Sequence, residues 1–232
     1  MQVELYTDVG GRELNEDSLL SAQDGDRRLF AVADGLGGHD CGEVASKMAI
    51  TELERQFVAA VPFLPEKAIG DADLQIAAKQ KEMGVKMRTT VAVAYVAGED
   101  TAFTHVGDSR IYAFSNGKIV YQSPDHSASQ MAVLAGEIPM SELRRHPDRN
   151  LLTRALGGAE GVKADTVTMP TDAYDALLLC SDGFWEYVTE DEMCKALCEA
   201  DSPAAWLSEM RAIRDSRAPK DCDNNTAVAV MK

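Results

Sequence analysis

The sequence predicts an α+β layered fold, in which antiparallel sheets pack against each other or against helices. Short strand-like segments recur along the chain, and neighbouring ones are joined by very short turns, "AGED" at 97–100 and "SNG" at 115–117. Turns of that length join antiparallel hairpins rather than parallel crossovers. The helical stretches come in blocks between groups of strands, which favours layers of helix on sheet.

The elements follow from the apolar periodicity of each segment. The strand-like segments alternate or run apolar over a few residues and lie near 2–8, 18–22, 28–34, 88–97, 101–107, 110–114, 118–121, 163–169, 174–181 and 225–231. The helical stretches share a longer apolar period and lie at 41–60, 66–83, 189–199 and 202–214. The mixed, polar segment 123–156 is predicted to be an excursion from the core.

Length and composition limit the possible classes of protein. A chain of 232 residues without linker, low-complexity tract or repeat favours one domain, and 45% apolar residues are enough for a proper core. The net charge of −15 opposes a nucleic acid or an anionic membrane as partner. Solubility is the simpler explanation of this acidity.

The sequence also predicts the cellular location of the protein. No segment reaches the roughly 18 apolar residues that span a bilayer. The start, "MQVELYTDVG", alternates like a strand and does not resemble a signal peptide. The five cysteines form no CxxC pair. We therefore expect a cytoplasmic protein.

Aspartates at the ends of apolar strands are the most informative feature. "RRLFAVAD" ends in Asp34, "TAFTHVGD" in Asp108 and "AYDALLLCSD" in Asp182, while Asp223 opens "DNNTAVAV". Each aspartate alone is explained as a turn former. If they converge, their carboxylates repel one another unless a cation neutralises them.

The ligand types indicate which cation such a site would hold. Carboxylate oxygens with a backbone carbonyl and waters suit Mg²⁺ or Mn²⁺, and no Cys/His pattern predicts zinc. Gly35 follows Asp34, and the same dipeptide recurs at 182–183. A glycine there lets the backbone turn tightly and present its carbonyl.

Other motifs fail on particular residues. "GLGGHD" at 35–40 has Asp40 where a dinucleotide loop needs its third glycine, and no P-loop lysine follows. "DCDNN" at 221–225 resembles a calcium loop, but Thr226 replaces its glycine and Lys232 its glutamate. Neither a cysteine-phosphatase loop nor a phospho-aspartate nucleophile is evident, so covalent phosphatase chemistry lacks a candidate.

Eight motifs together resemble the metal-dependent Ser/Thr protein phosphatases of type 2C, the PPM family, and most of all its compact bacterial branch. They occur in the family's order, as "TDVGGRELNEDS" (7–18), "VADGLGGHDCGEVAS" (32–46), "RTTVAVAYV" (88–96), "THVGDSRIY" (104–112), "DHS" (125–127), "HPDRNLLTRALG" (146–157), "LLLCSDGFWE" (178–186) and "DNNTAVAV" (223–230). The resemblance therefore runs almost from end to end.

The resemblance implies a four-layer α/β/β/α sandwich with two central antiparallel β-sheets. It implies a single phosphatase domain over 1–232 with a flap-like segment at about 123–149. The implied activity is metal-dependent hydrolysis of phosphoserine and phosphothreonine in proteins by a metal-activated water, without a phospho-enzyme intermediate. The expected partners are phosphorylated proteins, including a Ser/Thr kinase or its substrates, and the expected state is a monomer.

The resemblance also implies the metal ligands for two Mg²⁺ or Mn²⁺ ions and a weaker third. Asp34 would bridge two ions, and the Gly35 carbonyl would complete one of them. Asp182 and Asp223 would complete the other. Asp108 and Asp182 would hold the third. Two ions roughly 3.5–4 Å apart lower the pKa of a water and stabilise the attacking and departing oxygens.

The remaining implied roles concern water, phosphate and proton transfer. Glu16 and Asp17 would hold metal-bound waters, and Arg12 would clamp the phosphate with a fork that lysine cannot reproduce. His39 would protonate the leaving oxygen, as suits a histidine near neutral pH. The alternative for His39 is an exposed turn histidine.

The chain departs from the family pattern at two places. Arg88 replaces a glycine before the paired threonines. It is interpreted as a solvated strand residue, and the alternative is an extra cation near the path of the phosphate. Asp221 and Cys222 replace glycines that often precede the last metal aspartate. Two other functions stay open, a non-catalytic phosphoprotein-binding module and a small-molecule phosphatase.

Overall fold

The fold is built from two β-sheets with helices on their outer faces. The computed structural model describes residues 1–36, 41–158 and 161–232. Within them the strands are β1 (Gln2–Asp8), β2 (Asp17–Asp24), β3 (Arg27–Leu36), β4 (Arg88–Thr89), β5 (Val91–Ala97), β6 (Asp100–Val106), β7 (Arg110–Ser115), β8 (Lys118–Gln122), β9 (Asp165–Pro170), β10 (Ala176–Cys180) and β11 (Asn225–Met231). The α-helices are α1 (Gly42–Ala59), α2 (Pro65–Met83), α3 (Ala128–Leu134), α4 (Asp182–Trp185), α5 (Glu190–Glu199) and α6 (Pro203–Asp215).

The two sheets are antiparallel throughout. One has the strand order β1-β11-β10-β7-β8, and the other has the order β2-β3-β5-β6-β9 with β4 paired to β3. The first and last strands pair along their whole length, from Gln2 opposite Met231 to Asp8 opposite Asn225. The two ends of the sequence therefore meet at the edge of one sheet.

Side-chain alternation along the strands creates the layers. On β3, Phe30 and Val32 pack between the sheets, whereas Leu29 and Ala31 face α1 and α2. On β10, Leu178 belongs instead to the core beneath α5 and α6. Helices thus cover the outer face of each sheet. This arrangement confirms the predicted four-layer α/β/β/α sandwich.

The helices present the apolar faces that these layers require. In α1, Ala45, Ala49, Leu53 and Phe57 recur every four residues and are all buried against the sheet. The helix α5 begins with a capping box, in which Thr189 and Glu192 satisfy each other's backbone N–H groups. No helix in the described parts of the chain has both the length and the apolar character to cross a membrane.

The structure differs from the sequence predictions around the aspartates. The strand β3 continues two residues beyond Asp34, because Gly35 and Leu36 pair with β4. The segment predicted as one strand at 88–97 is interrupted at Thr90. The segment 123–149 contains α3 and a 3₁₀ helix, Met140–Arg145.

Candidate active site

A cavity of about 650 Å³ lies where loops from both sheets meet. Its described lining combines backbone, acidic and apolar groups from Gly11, Arg12, Glu13, Leu14, Glu16, Asp34, Gly35, Leu36, Asp108, Asn150, Leu152, Asp182, Asp223 and Asn224. All the residues predicted as metal ligands are in this set, together with Arg12 and Glu16. His39 lies outside the described residues. The sheets therefore bring together aspartates that are far apart in sequence.

Backbone hydrogen bonds hold Asp34 in place at the cavity wall. Its carbonyl oxygen accepts from the Thr90 N–H at 2.9 Å and from the Thr89 hydroxyl at 2.8 Å. Its own N–H donates to Thr90 Oγ1 at 3.0 Å. At Gly35 any Cβ would collide with the carbonyl oxygens of Gly42 and Glu16. Only glycine lets these backbones approach so closely.

Asp182 and Asp108 are positioned by the short helix α4. Asp182 is its first residue, and Trp185 at its end donates from Nε1 to the Asp108 carbonyl oxygen at 2.9 Å. Directly before it, the Ser181 hydroxyl donates to Asp17 Oδ2 at 2.8 Å. This helix thus connects the ends of β6 and β10, which carry two of the carboxylates, with Asp17 on β2.

Asp223 and Arg12 form an ion pair at the mouth of the cavity. Arg12 donates from Nη2 to Asp223 Oδ2 at 2.9 Å, and both side chains are about half exposed. The second oxygen of Asp223 accepts from the Asn224 N–H at 2.9 Å. The side-chain amide of Asn224 donates from Nδ2 to the carbonyl oxygens of Val9 and Leu14 at 2.8 and 2.9 Å. Asn224 therefore ties the Arg12 loop to the Asp223 loop.

Burial and mutual repulsion disfavour the charged form of the buried carboxyl groups. Burial, followed by the charges of neighbouring aspartates, raises the pKa of Asp34 and Asp108 well above the usual range. Burial is also the main cause that raises the pKa of Asp17 to about 7 and of Asp182 to about 6. The Oδ1 atoms of Asp17 and Asp182 are buried without a hydrogen-bond partner. The protein alone does not satisfy these oxygens.

The donor set fits hard divalent cations. The described lining offers carboxylate and carbonyl oxygens and contains neither cysteine nor histidine, as Mg²⁺ and Mn²⁺ prefer. As they stand, no three His, Cys, Asp or Glu side chains in the described ranges are grouped closely enough to hold a metal ion. At Asp223, both carboxylate oxygens are engaged, one by Arg12 and the other by the Asn224 N–H. The unpartnered oxygens and the raised pKa values favour a cation site here.

Several residues that shape the site had no predicted role. Ser181 supports Asp17, Thr89 and Thr90 fix Asp34, and Asn224 joins two loops. Their only sequence signal is that each is adjacent to a predicted ligand or lies within a matching motif. Arg88 is exposed on β4 and absent from the described lining of the cavity, which favours a solvated strand residue.

Comparison with known proteins identifies the family. The model of the family described as Protein phosphatase 2C matches residues 9–212. A serine/threonine phosphatase, stp, of Listeria welshimeri serovar 6b is 36% identical over 205 residues, which is 83% of this chain and 81% of that protein.

Solved structures agree in fold. The crystal structure of a bacterial serine phosphatase matches with a TM-score of 0.90 at 30% sequence identity. The match covers 100% of this chain and 97% of the phosphatase chain. The catalytic domain of the serine/threonine protein phosphatase PstP, solved with 2 manganese ions, has a TM-score of 0.83 at 30% identity, with 98% and 96% covered. From the family match, the Listeria relative and these structures, we conclude that the chain belongs to the protein phosphatase 2C family.

Proposed function

We propose that the chain is a single phosphatase domain that hydrolyses phosphoserine and phosphothreonine in proteins with the help of Mg²⁺ or Mn²⁺. The observation that carries the proposal is the group of acidic side chains on one cavity, with raised pKa values and unpartnered oxygens. A phosphate dianion would be repelled from this acidic cavity unless bound cations reversed the charge of the cavity. The proposed substrate therefore requires the proposed metal.

The ligands of the proposed metals are the groups that line the cavity. Asp34, with the Gly35 carbonyl on one side and Asp182 and Asp223 on the other, would hold two ions, and Asp108 with Asp182 a weaker third. When bound, such ions supply a water of lowered pKa and neutralise charge that develops on the phosphate.

Arg12 is the proposed phosphate ligand. It lies at the cavity mouth, and its guanidinium now pairs with Asp223. If Asp223 held a cation, this guanidinium would be free to bind two phosphate oxygens through its planar fork. Glu16, which lines the cavity, and Asp17, which is hydrogen-bonded to Ser181 next to Asp182, would orient metal-bound waters.

The proposed nucleophile is water, without a phospho-enzyme intermediate. The described lining contains no Ser, Thr, Cys or His side chain that would act as a covalent nucleophile. His39 remains our candidate for the general acid that protonates the leaving oxygen. The proposed partners are phosphorylated proteins, among them a Ser/Thr kinase or its substrates, and the segment 123–149 is the proposed flap beside the site.

A phosphopeptide assay with Asp182→Asn tests the metal requirement. Wild type should hydrolyse phosphoserine and phosphothreonine peptides with Mn²⁺ and lose this activity in EDTA. Asp182→Asn should lower kcat/KM by more than about 100-fold, because it removes a charged metal ligand. Full activity of this variant would disprove the assignment of the metal site. Exposed Asp26→Asn, in the turn between β2 and β3, is the matched control.

Arg12→Ala tests the phosphate clamp. Loss of a bidentate, charge-assisted contact should cost about 2–4 kcal/mol, on the order of 30- to 1000-fold in kcat/KM. Unchanged kcat and KM would remove Arg12 from the site. Sugar phosphates and nucleotides, assayed in parallel, separate a protein phosphatase from a small-molecule phosphatase. A chain that binds phosphopeptides with Mn²⁺ but does not hydrolyse them would be a binding module.

A further inference from the structure

Arg214, near the end of α6, is a buried arginine that the proposed chemistry does not use. Its side chain is only 5% exposed. Its Nε donates to the Gly183 carbonyl oxygen at 3.0 Å, and its Nη2 donates to the Cys222 sulfur at 3.1 Å and lies 3.5 Å from the Asp223 carbonyl oxygen. The guanidinium therefore contacts the loop of Asp182 and the loop of Asp223 at once.

These two loops are also packed directly on each other. A Cβ at Gly183 would collide with the Asn224 carbonyl oxygen, so the two backbones touch there. From the opposite side, the Gly11 N–H donates to the Cys222 carbonyl oxygen at 2.9 Å. The backbone before Asp223 is thus enclosed between the Arg12 loop, the Gly183 turn and Arg214.

The chemistry of the contacts requires an arginine. A guanidinium directs several N–H groups in one plane and can reach both loops, whereas a lysine ammonium is a compact point charge without this fork. Its remaining nitrogen, Nη1, pairs with Asp215 at 2.8 Å, which supplies a counterion at the protein surface. Cys222 stands where the family resemblance leads us to expect glycine, and its sulfur provides a contact that glycine lacks.

We propose that Arg214 is a positioning residue that sets the distance between the Asp182 and Asp223 carboxylates by tethering the two loops that carry them. This inference rests on the proposed metal site. Groups that orient metal ligands from behind typically change metal affinity by 10–100-fold when they are removed. Arg214 contacts the backbone of both ligand loops and is not part of the described lining of the cavity.

The test is a Mn²⁺ titration by calorimetry on metal-free protein. The variants are Arg214→Met, which keeps the apolar stem, Arg214→Lys, which keeps the charge, and Arg211→Met as a control. Arg211 is exposed on the same helix and stacks on Tyr6 at 4.1 Å, so that it is one residue removed from the loops, because the Tyr6 ring packs on Phe184 and its hydroxyl donates to Asn225. Arg214→Met should weaken Mn²⁺ binding about 10- to 100-fold, with Arg214→Lys in between and Arg211→Met unchanged.

A second measurement needs neither metal nor activity. In metal-free protein, hydrogen exchange of the backbone at 182–185 and 222–226 should be faster in Arg214→Met than in Arg211→Met or wild type, because only Arg214 among these two arginines bonds the loops directly. If Arg214→Met does not fold, Arg214→Lys carries both measurements. Wild-type Mn²⁺ affinity and wild-type exchange in a folded Arg214 variant would overturn the inference.

The two proposals fail in different ways. A wild type that binds Mn²⁺ but hydrolyses no phosphopeptide overturns the proposed function and leaves the role of Arg214 intact. A wild type that binds no Mn²⁺ overturns the proposed metal site, and the exchange measurement then decides whether Arg214 tethers the loops. Mn²⁺ binding weakened equally by Arg214→Met and Arg211→Met would indicate a general effect of charge and overturn the positioning role.

Discussion

Two groups of charged side chains lie side by side in this protein and differ in whether their charges are balanced. In the first, around Arg110, the guanidinium binds Asp125 through two hydrogen bonds of 2.7 Å and stacks 3.5 Å from the Trp185 ring. Glu190 completes this cluster by pairing with Arg110 at 3.4 Å and with Arg144 at 2.6 Å. We call these residues the Arg110 cluster. Its two positive and two negative charges cancel.

The second group is the set of aspartates on the cavity together with Asp17, which is hydrogen-bonded to Ser181 next to Asp182, and the carboxylates of this group repel one another. Its only described ion pair with a cation, Arg12 to Asp223, lies at the exposed mouth. The two groups meet at Trp185, which stacks on Arg110 and donates its N–H to the Asp108 carbonyl oxygen. Through Trp185, the Arg110 cluster thus helps to hold the backbone of Asp108 in the group of cavity aspartates. A structural cluster supplies its own counterions, whereas a metal site leaves charge for the ions to satisfy.

The comparison predicts that the same chemical change has opposite signs in the two groups. In the Arg110 cluster, Asp125→Asn should lower the free energy of unfolding by about 3–5 kcal/mol, because the buried Arg110 would lose its bidentate counterion and keep only the longer contact to Glu190. Urea unfolding measures the change. Exposed Asp26→Asn should stay within about 0.5 kcal/mol of wild type. A loss below about 1 kcal/mol for Asp125→Asn would show that the cluster is not a charge-balanced anchor.

Among the aspartates, Asp17→Asn should raise the free energy of unfolding of the metal-free protein. Burial raises the folded-state pKa of Asp17 to about 7, above the value of about 3.9 for an unfolded chain. The protonated form is therefore favoured in the fold, and its contribution is lost as the pH rises from about 4 through 7. The asparagine removes this loss and should stabilise by about 1–3 kcal/mol at pH 8.

The measurement is urea unfolding in EDTA at several pH values. The gap between Asp17→Asn and wild type should be small at pH 4 and grow towards pH 8. Added Mn²⁺ should stabilise wild type more than the variant, because Asp17 would no longer hold a metal-bound water as a carboxylate. A gap that shrinks with rising pH would contradict the view that these charges are uncompensated.

The smallest effect is expected at a surface pair that belongs to neither group. Arg217 lowers the pKa of Glu192 to about 2, and the Arg217 side chain is 44% exposed. Arg217→Gln should therefore cost only about 0.2–1 kcal/mol at pH 7 and low salt, and less at high salt. The contribution of the Glu192–Arg217 pair to the free energy of unfolding is present above about pH 4.3 and disappears as the pH falls through about 2. A cost as large as that of Asp125→Asn would mean that burial does not distinguish these pairs.

The elements were largely predictable because their signals are local. The short apolar run that ends at Asp34 predicted a strand at 28–34, where β3 lies, and the period of a strand then directs Phe30 and Val32 to one face and Leu29 and Ala31 to the other. The interruption at Thr90 was not predictable from local signals, and Thr90 there exchanges hydrogen bonds with Asp34, fifty-six residues away. Element boundaries next to the site are set by such long-range bonds.

The sequence by itself determined most of the strands, the four longest helices and, through its motifs, the family and the identity of the candidate ligands. Residue chemistry and spacing along the chain carry that information. Only the tertiary structure decided that Asp34, Asp108, Asp182 and Asp223 share one cavity, that Arg110 is neutralised, and that Arg214 holds two ligand loops. The physical reason is that pKa values, charge balance and loop positions depend on burial and distance in space, and strand pairing sets both only when the sheets have formed.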